Sequence, residues 1–416
     1  MGLNDTPSGE RIHIGFFGRR NAGKSSVVNA VTGQDLAVVS SRKGTTTDPV
    51  YKAMELLPLG PVMIIDTPGY DDVGELGSLR VKKTREILDR TDLAVLVVDA
   101  ALGISQEDRD LALQLKDREI PVLTVFNKAD LLTQGGISDE QSDSVQRGDD
   151  LAQPDRDMNQ IYVSALTGHG IHELKERIAK KAAAAGAGKT SRPLVRDLLK
   201  PGALAVLVIP IDTAAPKGRI ILPQQQVLRD ILDGDRMAVC VKEGQLKDLL
   251  VQLPADPDMV ITDSQVFEEV SAIVPDRVPL TSFSILMARY KGFLKTAVEG
   301  CQRIDSLKDG DRILISEGCT HHRQCDDIGT VKLPRWLRRY TGRDLQIETS
   351  SGREFPEDLS GYALVIHCGG CMLNARELKS REARALRYSV PFTNYGIAIA
   401  HMKGILKRSI RDVLSD

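Results

Sequence analysis

Soft metal ligands are scarce in this chain. Its 416 residues include only 6 Cys and 7 His, with a single Trp and 4% aromatics. So few thiols exclude a disulfide-built scaffold. The N-terminal MGLNDTPSGE also lacks the basic and apolar regions of a secretory signal. The expected setting is a reducing cytoplasm, where clustered cysteines bind metal more often than they pair. No apolar run approaches the roughly 20 residues of a membrane span, so no membrane is expected. Charge is nearly balanced, with 55 basic and 57 acidic residues and a formal net charge of -2, which gives nucleic acid no electrostatic footprint. What remains is an ordinary globular composition, 42% hydrophobic and 27% charged, long enough for two or three domains with their own cores.

The first strong pattern is near the start. Arg11 to Phe17 (RIHIGFF) is an apolar strand running into Gly18-Arg19-Arg20-Asn21-Ala22-Gly23-Lys24-Ser25, with a helical Ser26 to Val31 behind it. This is the G-x-x-x-x-G-K-S/T phosphate loop, whose glycines let backbone N–H groups turn inward around phosphates. Lys24 supplies charge to the outer phosphates, Ser25 supplies a Mg²⁺ ligand, and the helix N-terminus adds a favourable dipole.

Further signals follow in order. Pro61 to Ile65 is a strand ending in Asp66-Thr67-Pro68-Gly69, where Asp66 would hold Mg²⁺ through water and the Gly69 N–H would sense the γ-phosphate. Pro121 to Phe126 ends in Asn127-Lys128-Ala129-Asp130, which resembles the NKxD guanine signature of the GTPase superfamily. Asp130 can accept two hydrogen bonds from guanine that adenine cannot offer. Ile161 to Ser164 leads into Ser164-Ala165-Leu166, which resembles the fifth guanine-nucleotide motif, so GTP/GDP is expected rather than ATP. Gly44-Thr45-Thr46-Thr47-Asp48 resembles a first switch of the GTTxD kind, with Thr46 favoured as its Mg²⁺ ligand and Thr45 next. Tyr70 stands where many signalling GTPases carry a water-orienting glutamine, and Asn21 stands where the tRNA-modification group helps bind a catalytic K⁺. The chain therefore resembles the TrmE–Era branch, which implies K⁺-stimulated hydrolysis. Arg19 and Arg20 are candidate finger residues, with phosphate steering the simpler role. Thr133 to Asp157 is polar and aperiodic, as expected of a loop insertion.

Beyond a small-residue linker at Ala182 to Ser191, strand-like runs at Leu204 to Pro210, Ile220 to Leu222, Met237 to Val241 and Met259 to Ile261 alternate with helical ones. That order predicts a small α/β domain with a parallel sheet. Cys240 lies in an apolar run and is expected in its core. A long helix over Ser282 to Glu299 then presents Phe283, Leu286, Tyr290 and Leu294 on one face, and Cys301 after it is expected to be structural.

The last third carries the scarce residues: Cys319-Thr320-His321-His322, then His367-Cys368-Gly369-Gly370-Cys371. Each follows a short apolar run, Arg312 to Ser316 (RILIS) and Ala363 to Ile366 (ALVI), so both halves are expected just past the carboxyl ends of parallel strands, where open α/β sheets bind ligands. Three thiolates with nearby histidines suit zinc or an iron–sulfur cluster. Cys325 and Asp326 lie within reach of the first half. Arg335, Arg338 and Arg339 beside Trp336 form a basic face.

Together with Asp326-Asp327-Ile328-Gly329, Val331-Lys332-Leu333-Pro334-Arg335-Trp336 and Thr393-Asn394-Tyr395-Gly396, these motifs resemble one family over essentially the whole chain: the scaffold GTPases of FeFe-hydrogenase maturation. The resemblance implies three α/β domains: a P-loop GTPase domain at 8–185, a dimerisation domain at 194–272 and an iron–sulfur cluster domain at 273–416. It implies a 4Fe–4S cluster on Cys319, Cys368 and Cys371, with His321, His367 or Asp326 as candidates for a weakly held fourth position and Cys325 as an extra thiol. The implied function is a carrier. It binds a 2Fe precursor transiently, interacts with two radical-SAM maturases and apo-FeFe-hydrogenase, and forms a homodimer. The absence of a CxxxCxxC triad means that the chain is not itself a radical-SAM enzyme. The competing expectation is a TrmE–Era type GTPase acting on RNA or ribosomes, with a structural zinc.

Overall fold

The computed structural model describes residues 6–34, 49–69, 83–133, 159–186, 192–211, 220–319, 327–352 and 354–414. The chain forms two compact units, Met1–Lys189 and Thr190–Asp416.

The first unit is a six-stranded sheet. Its strands are β1 (Ile12–Phe17), β2 (Val50–Leu56), β3 (Gly60–Asp66), β4 (Leu93–Asp99), β5 (Val122–Asn127) and β6 (Gln160–Tyr162), in the order β2-β3-β1-β4-β5-β6. Only β2 runs antiparallel. The β4 run LAVLVVD is buried throughout because both faces are covered. Leu93, Val95 and Val97 pack with Val27, Val31, Leu174 and Ile178 of two helices, Lys24–Thr32 and Ile171–Ala184. Ala94, Leu96 and Val98 pack with Leu111 and Leu115 of the helix Gln106–Asp117 on the other face. That two-sided burial is why the strand reads as a continuous apolar run and not an alternating one.

The second unit holds two four-stranded parallel sheets. One comprises β7 (Leu204–Val208), β8 (Met237–Val241), β9 (Met259–Thr262) and β10 (Leu280–Ser282), in the order β10-β9-β7-β8. The other comprises β11 (Arg312–Glu317), β12 (Gln346–Ser351), β13 (Leu364–His367) and β14 (Phe392–Asn394), in the order β12-β11-β13-β14. One continuous hydrophobic core, from Leu194 to Val413, serves both. The boundary expected between residues 272 and 273 falls inside the first of these sheets, because β10 supplies its fourth strand.

Three sequence expectations are corrected here. Ile220–Ile221 is not a strand but the approach to the helix Leu222–Asp233, which Pro223 helps to start because its fixed φ suits the first turn. Cys240 is exposed, not core: β8 is an edge strand, and only part of it faces the sheet's helices. The long helix at 282–299 is two helices, Phe283–Lys291 and Leu294–Cys301, divided by Gly292 at φ 87°, a left-handed stop that glycine adopts without strain. Cys301 is buried, as expected.

Candidate functional site

Two sites emerge, one per unit. In the first, the phosphate loop leaves β1 and enters the helix Lys24–Thr32. Gly18 and Gly23 are demanded by close approach: a Cβ on Gly18 would lie 2.4 Å from the Val97 carbonyl oxygen, and one on Gly23 would lie 2.2 Å from Nδ2 of Asn127. Lys24 Nζ donates to Asp66 Oδ1 at 2.5 Å and Ser25 Oγ to Asp66 Oδ2 at 2.8 Å. The three residues assigned to Mg²⁺ and phosphate thus converge on one point. Asn127 braces the loop from the guanine side. Its Nδ2 donates to the Ala22 carbonyl at 3.1 Å, and its Oδ1 accepts from the Ala165 N–H at 3.1 Å. Lys128 Nζ donates to the Asn21 carbonyl at 2.7 Å and to Asp99 Oδ2 at 2.6 Å. Ser164 Oγ accepts from the Thr167 N–H, while Leu166 is largely exposed. Asp130 opens the short helix Asp130–Thr133, Gly69 follows β3, and Ser26 lies in the helix behind the loop. Thr45, Thr46 and Tyr70 lie outside the described residues.

Sequence reasoning missed two supports here. Asp99, the last residue of β4, is buried and anchors Lys128. Asp108, 1% exposed, closes a capping box with Ser105 and also takes Arg19 at 3.5 Å, which gives that arginine a structural partner. The terminal Asp of β4 could have signalled the first, since a carboxylate ending an apolar strand needs a partner.

The second site lies at the carboxyl ends of β11 and β13, at the point where the chain order reverses in the sheet. Gly318 and Cys319 follow β11; Cys368 to Cys371 follow β13. Cys368 Sγ accepts from the Gly318 N–H at 3.1 Å and the Gly370 N–H at 3.4 Å. Burial raises all three thiols from their ordinary value. Cys319 is raised further by Cys368 and Cys371, and Cys371, pushed up to about 12, is raised further by Cys368 and opposed by the Lys291 ammonium. The thiols therefore feel one another across the two strand ends. Among the described residues no three Cys, His, Asp or Glu side chains are grouped closely enough to hold a metal ion. Half-buried thiols, one with two backbone N–H groups aimed at its sulfur and another with the Lys291 ammonium close by, are a fitting donor set for a soft metal or an iron–sulfur centre.

His367, one of the candidates for the fourth position, has partners within the protein. It is fully buried, and Arg381 Nη1 lies 3.1 Å from its Nε2. A guanidinium can only donate, so Nε2 accepts and the proton sits on Nδ1, which donates to the Cys368 carbonyl at 2.8 Å. Burial, then the Arg381 charge, lowers the imidazole to about 3. One ring nitrogen thus holds the CxxC loop and the other takes the Arg381 guanidinium. Arg381 also donates to Glu377 Oε1 at 2.9 Å and the Gly352 carbonyl at 2.7 Å, and lies over the Phe355 ring. The loop rests on the helix Phe283–Lys291: Lys291 Nζ donates to the Leu373 carbonyl at 2.8 Å, and Met287 flanks Gly369. His321, Cys325 and Asp326 lie outside the described residues. Arg335, Arg338 and Arg339 are exposed on the helix Leu333–Thr341, where Arg338 donates to the Leu345 carbonyl.

Comparison with known proteins divides the chain in the same way. Residues 13–128 match the family described as 50S ribosome-binding GTPase, residues 194–292 match the Hydrogen maturase F dimerization domain, and residues 295–412 match the Hydrogen maturase F tetramerization domain. The two maturase matches together span more than half of the chain. Over 174 residues the chain is 32% identical to the tRNA modification GTPase MnmE of Nitrosomonas europaea, covering 42% of this chain and 35% of that protein. Over 180 residues it is 32% identical to the GTPase Der of Kosmotoga olearia, covering 41% and 38%. The chain thus spans little more than a third of these curated relatives. Among solved structures, Era of Aquifex aeolicus aligns at 16% identity over 82% of this chain and 92% of that one, with a TM-score of 0.33. Among the described residues no helix is long and apolar enough to cross a membrane.

Proposed function

The chain belongs to the hydrogen maturase F family, and from that premise we propose that it is a GTP-hydrolysing scaffold. It holds a 4Fe–4S cluster on Cys319, Cys368 and Cys371 and carries a 2Fe precursor to apo-FeFe-hydrogenase. The observation that supports this most is the placement of three cysteines at two adjoining strand ends of the maturase-matched unit, on a chain whose phosphate and guanine motifs are brought together. A cluster held by three thiolates supplies one iron whose remaining ligand can exchange, which suits cargo that must bind and leave. The chain's own residues do the rest. Lys24, Ser25 and Asp66 gather Mg²⁺ and the phosphates, Asp130 selects guanine, and Asn21 contributes to a K⁺ site that stimulates hydrolysis. Cys368 is presented by the Gly318 and Gly370 amides, and His367 with Arg381 fixes its carbonyl. His321 or Asp326 completes the fourth position, since His367 is otherwise engaged. The edge strand β8, with Met237 and Cys240 exposed, belongs to the homodimer contact. The two radical-SAM maturases and the hydrogenase are the partners.

The test is metal and sulfide analysis with electron paramagnetic resonance on anaerobically prepared full-length protein. About four irons and four sulfides per chain, lost in each single Cys→Ser variant while GTP turnover persists, is the expected result. Zinc without iron would return the chain to the RNA-GTPase reading.

A further inference from the structure

The two sheets of the second unit are built alike. In each, the first strand is flanked by the second and third, and the fourth lies beyond the third. The registers agree: Val208 pairs with Thr262 as Ser316 pairs with His367. The loops agree too. Asp263 N–H donates to the Val208 carbonyl as Cys368 N–H donates to that of Ser316, and Gly202 N–H to Asp235 as Gly310 N–H to Asp344. The sequences match where the fourth strands run into their helices. Val278 to Lys295 reads VPLTSFSILMARYKGFLK and Val390 to Lys407 reads VPFTNYGIAIAHMKGILK, identical at V, P, T, I, A, K, G, L and K. Ser282 caps the first helix through the Ile285 N–H, and Asn394 caps the second through the Ile397 N–H. Gly292 and Gly404 both stop a helix at positive φ. Even a side-chain pair is repeated, Arg289 with Asp197 and His401 with Asp305. The chain therefore contains two copies of one module, of which only the second carries thiols at its switch point.

That twin is an internal control. Residues the copies share serve the common fold; polar residues found only in the thiol-bearing copy serve the site. Where the first copy has Ile209 and Phe283, the second has Glu317 and Tyr395. The two are nearly fully buried, and Tyr395 OH donates to Glu317 Oε1 at 3.3 Å. Gly329 closes over them: a Cβ there would lie 2.4 Å from both Oε1 and the phenol oxygen. Asp327 fixes that turn by accepting from the Gly329 and Thr330 N–H groups at 3.0 and 2.9 Å. A buried hydrogen bond replacing apolar side chains adds little to folding by itself, because its desolvation offsets most of its gain.

We propose that Glu317 and Tyr395 are positioning residues of the three-thiol site, a clasp that holds the end of β11, and so Cys319, against the Gly329 turn. The inference rests on the metal-binding reading above but not on which metal is native. Its test uses the full chain and two probes, cobalt(II) on the apo protein and the anaerobically reconstituted cluster. Tyr395→Phe installs the twin's own residue at one of the two positions, so the chain should still fold, assemble and turn over GTP, with some loss of stability where Glu317 loses the phenol. With the clasp gone, cobalt and cluster should be lost to chelator about tenfold faster, as for other outer-shell changes, and the thiolate-to-cobalt absorption should shift. Glu317→Gln retains an acceptor for Tyr395 and should keep wild-type retention. Amide exchange at 313–318 and 328–332 should quicken in apo Tyr395→Phe alone. Unchanged retention and absorption in Tyr395→Phe would overturn the clasp, as would losses in Glu317→Gln equal to those in Tyr395→Phe. If the wild type takes up zinc and no cluster, the scaffold reading fails, while the cobalt comparison still scores the clasp.

Discussion

Removing the Arg381 guanidinium should be among the most damaging single changes in the second unit. Arg381→Met keeps much of the side chain's volume against Phe355 but takes the guanidinium from Glu377, a buried carboxylate 6% exposed. Breaking a buried ion pair from one side costs about 3–5 kcal/mol. The Gly352 carbonyl and His367 Nε2 also lose their donor, at about 1 kcal/mol or more each if they stay buried. Protonation of Glu377 relieves part of this, so the low end, about 3 kcal/mol, is the working figure. For a unit of this size that corresponds to a fall of about 6–12 °C in Tm. Calorimetry of the full-length apo protein should show the loss in one transition only, because Lys24, Asp66 and their neighbours belong to the other unit. Glu377→Leu combined with Arg381→Met removes the buried charge along with its guanidinium and should recover more than half of the loss. A shift below about 1 kcal/mol for Arg381→Met would refute a closed Glu377–Arg381–His367 network.

Other expectations follow from the two sites. Asp130→Asn should weaken GTP and favour xanthosine triphosphate, read by competition binding; unchanged GTP affinity would mean that Asp130 does not face the base. Asn21→Ala should abolish any difference between turnover in K⁺ and in Na⁺ while nucleotide binding persists. Asp99→Ala should raise GTP Kd by about tenfold, the loss of one charge-assisted bond to Lys128, measured by titration. Metal uptake by the apo protein should release protons, because burial holds the Cys319, Cys368 and Cys371 thiols protonated at neutral pH. Apparent cobalt affinity should therefore rise with pH, and a flat profile would show that the thiols are not the ligands.

Much of this was legible in the sequence because the signals are local. A phosphate loop is eight consecutive residues between a strand and a helix. The RILIS and ALVI runs place both cysteine halves at strand ends with no knowledge of the sheet. What failed depended on distant partners. Whether β8 is central or edge is decided by the order of four strands, so Cys240 could not be placed from its apolar neighbours. The partner of His367 Nε2 could not be read from its neighbour Cys368, because Arg381 lies in the second turn of a later helix. The Phe283–Cys301 stretch has helical spacing throughout, and its break depends on Gly292 taking a left-handed conformation that a periodicity count ignores. Thr46, Tyr70, His321 and Asp326 lie outside the described residues, so the first switch and the fourth metal position rest on sequence alone.

The helix Phe283–Lys291 touches the HCGGC loop from the side of the dimerization-matched module, through Lys291 to the Leu373 carbonyl and Met287 beside Gly369. One helix thus joins the module that matches the dimerization domain to the loop that carries Cys368 and Cys371. Any free energy with which metal favours one setting of that helix must reappear, with the same size and sign, as an effect of assembly on metal affinity. On the proposed reading, metal content and oligomer distribution are linked through this helix, and a preparation that differs in one should be checked for the other.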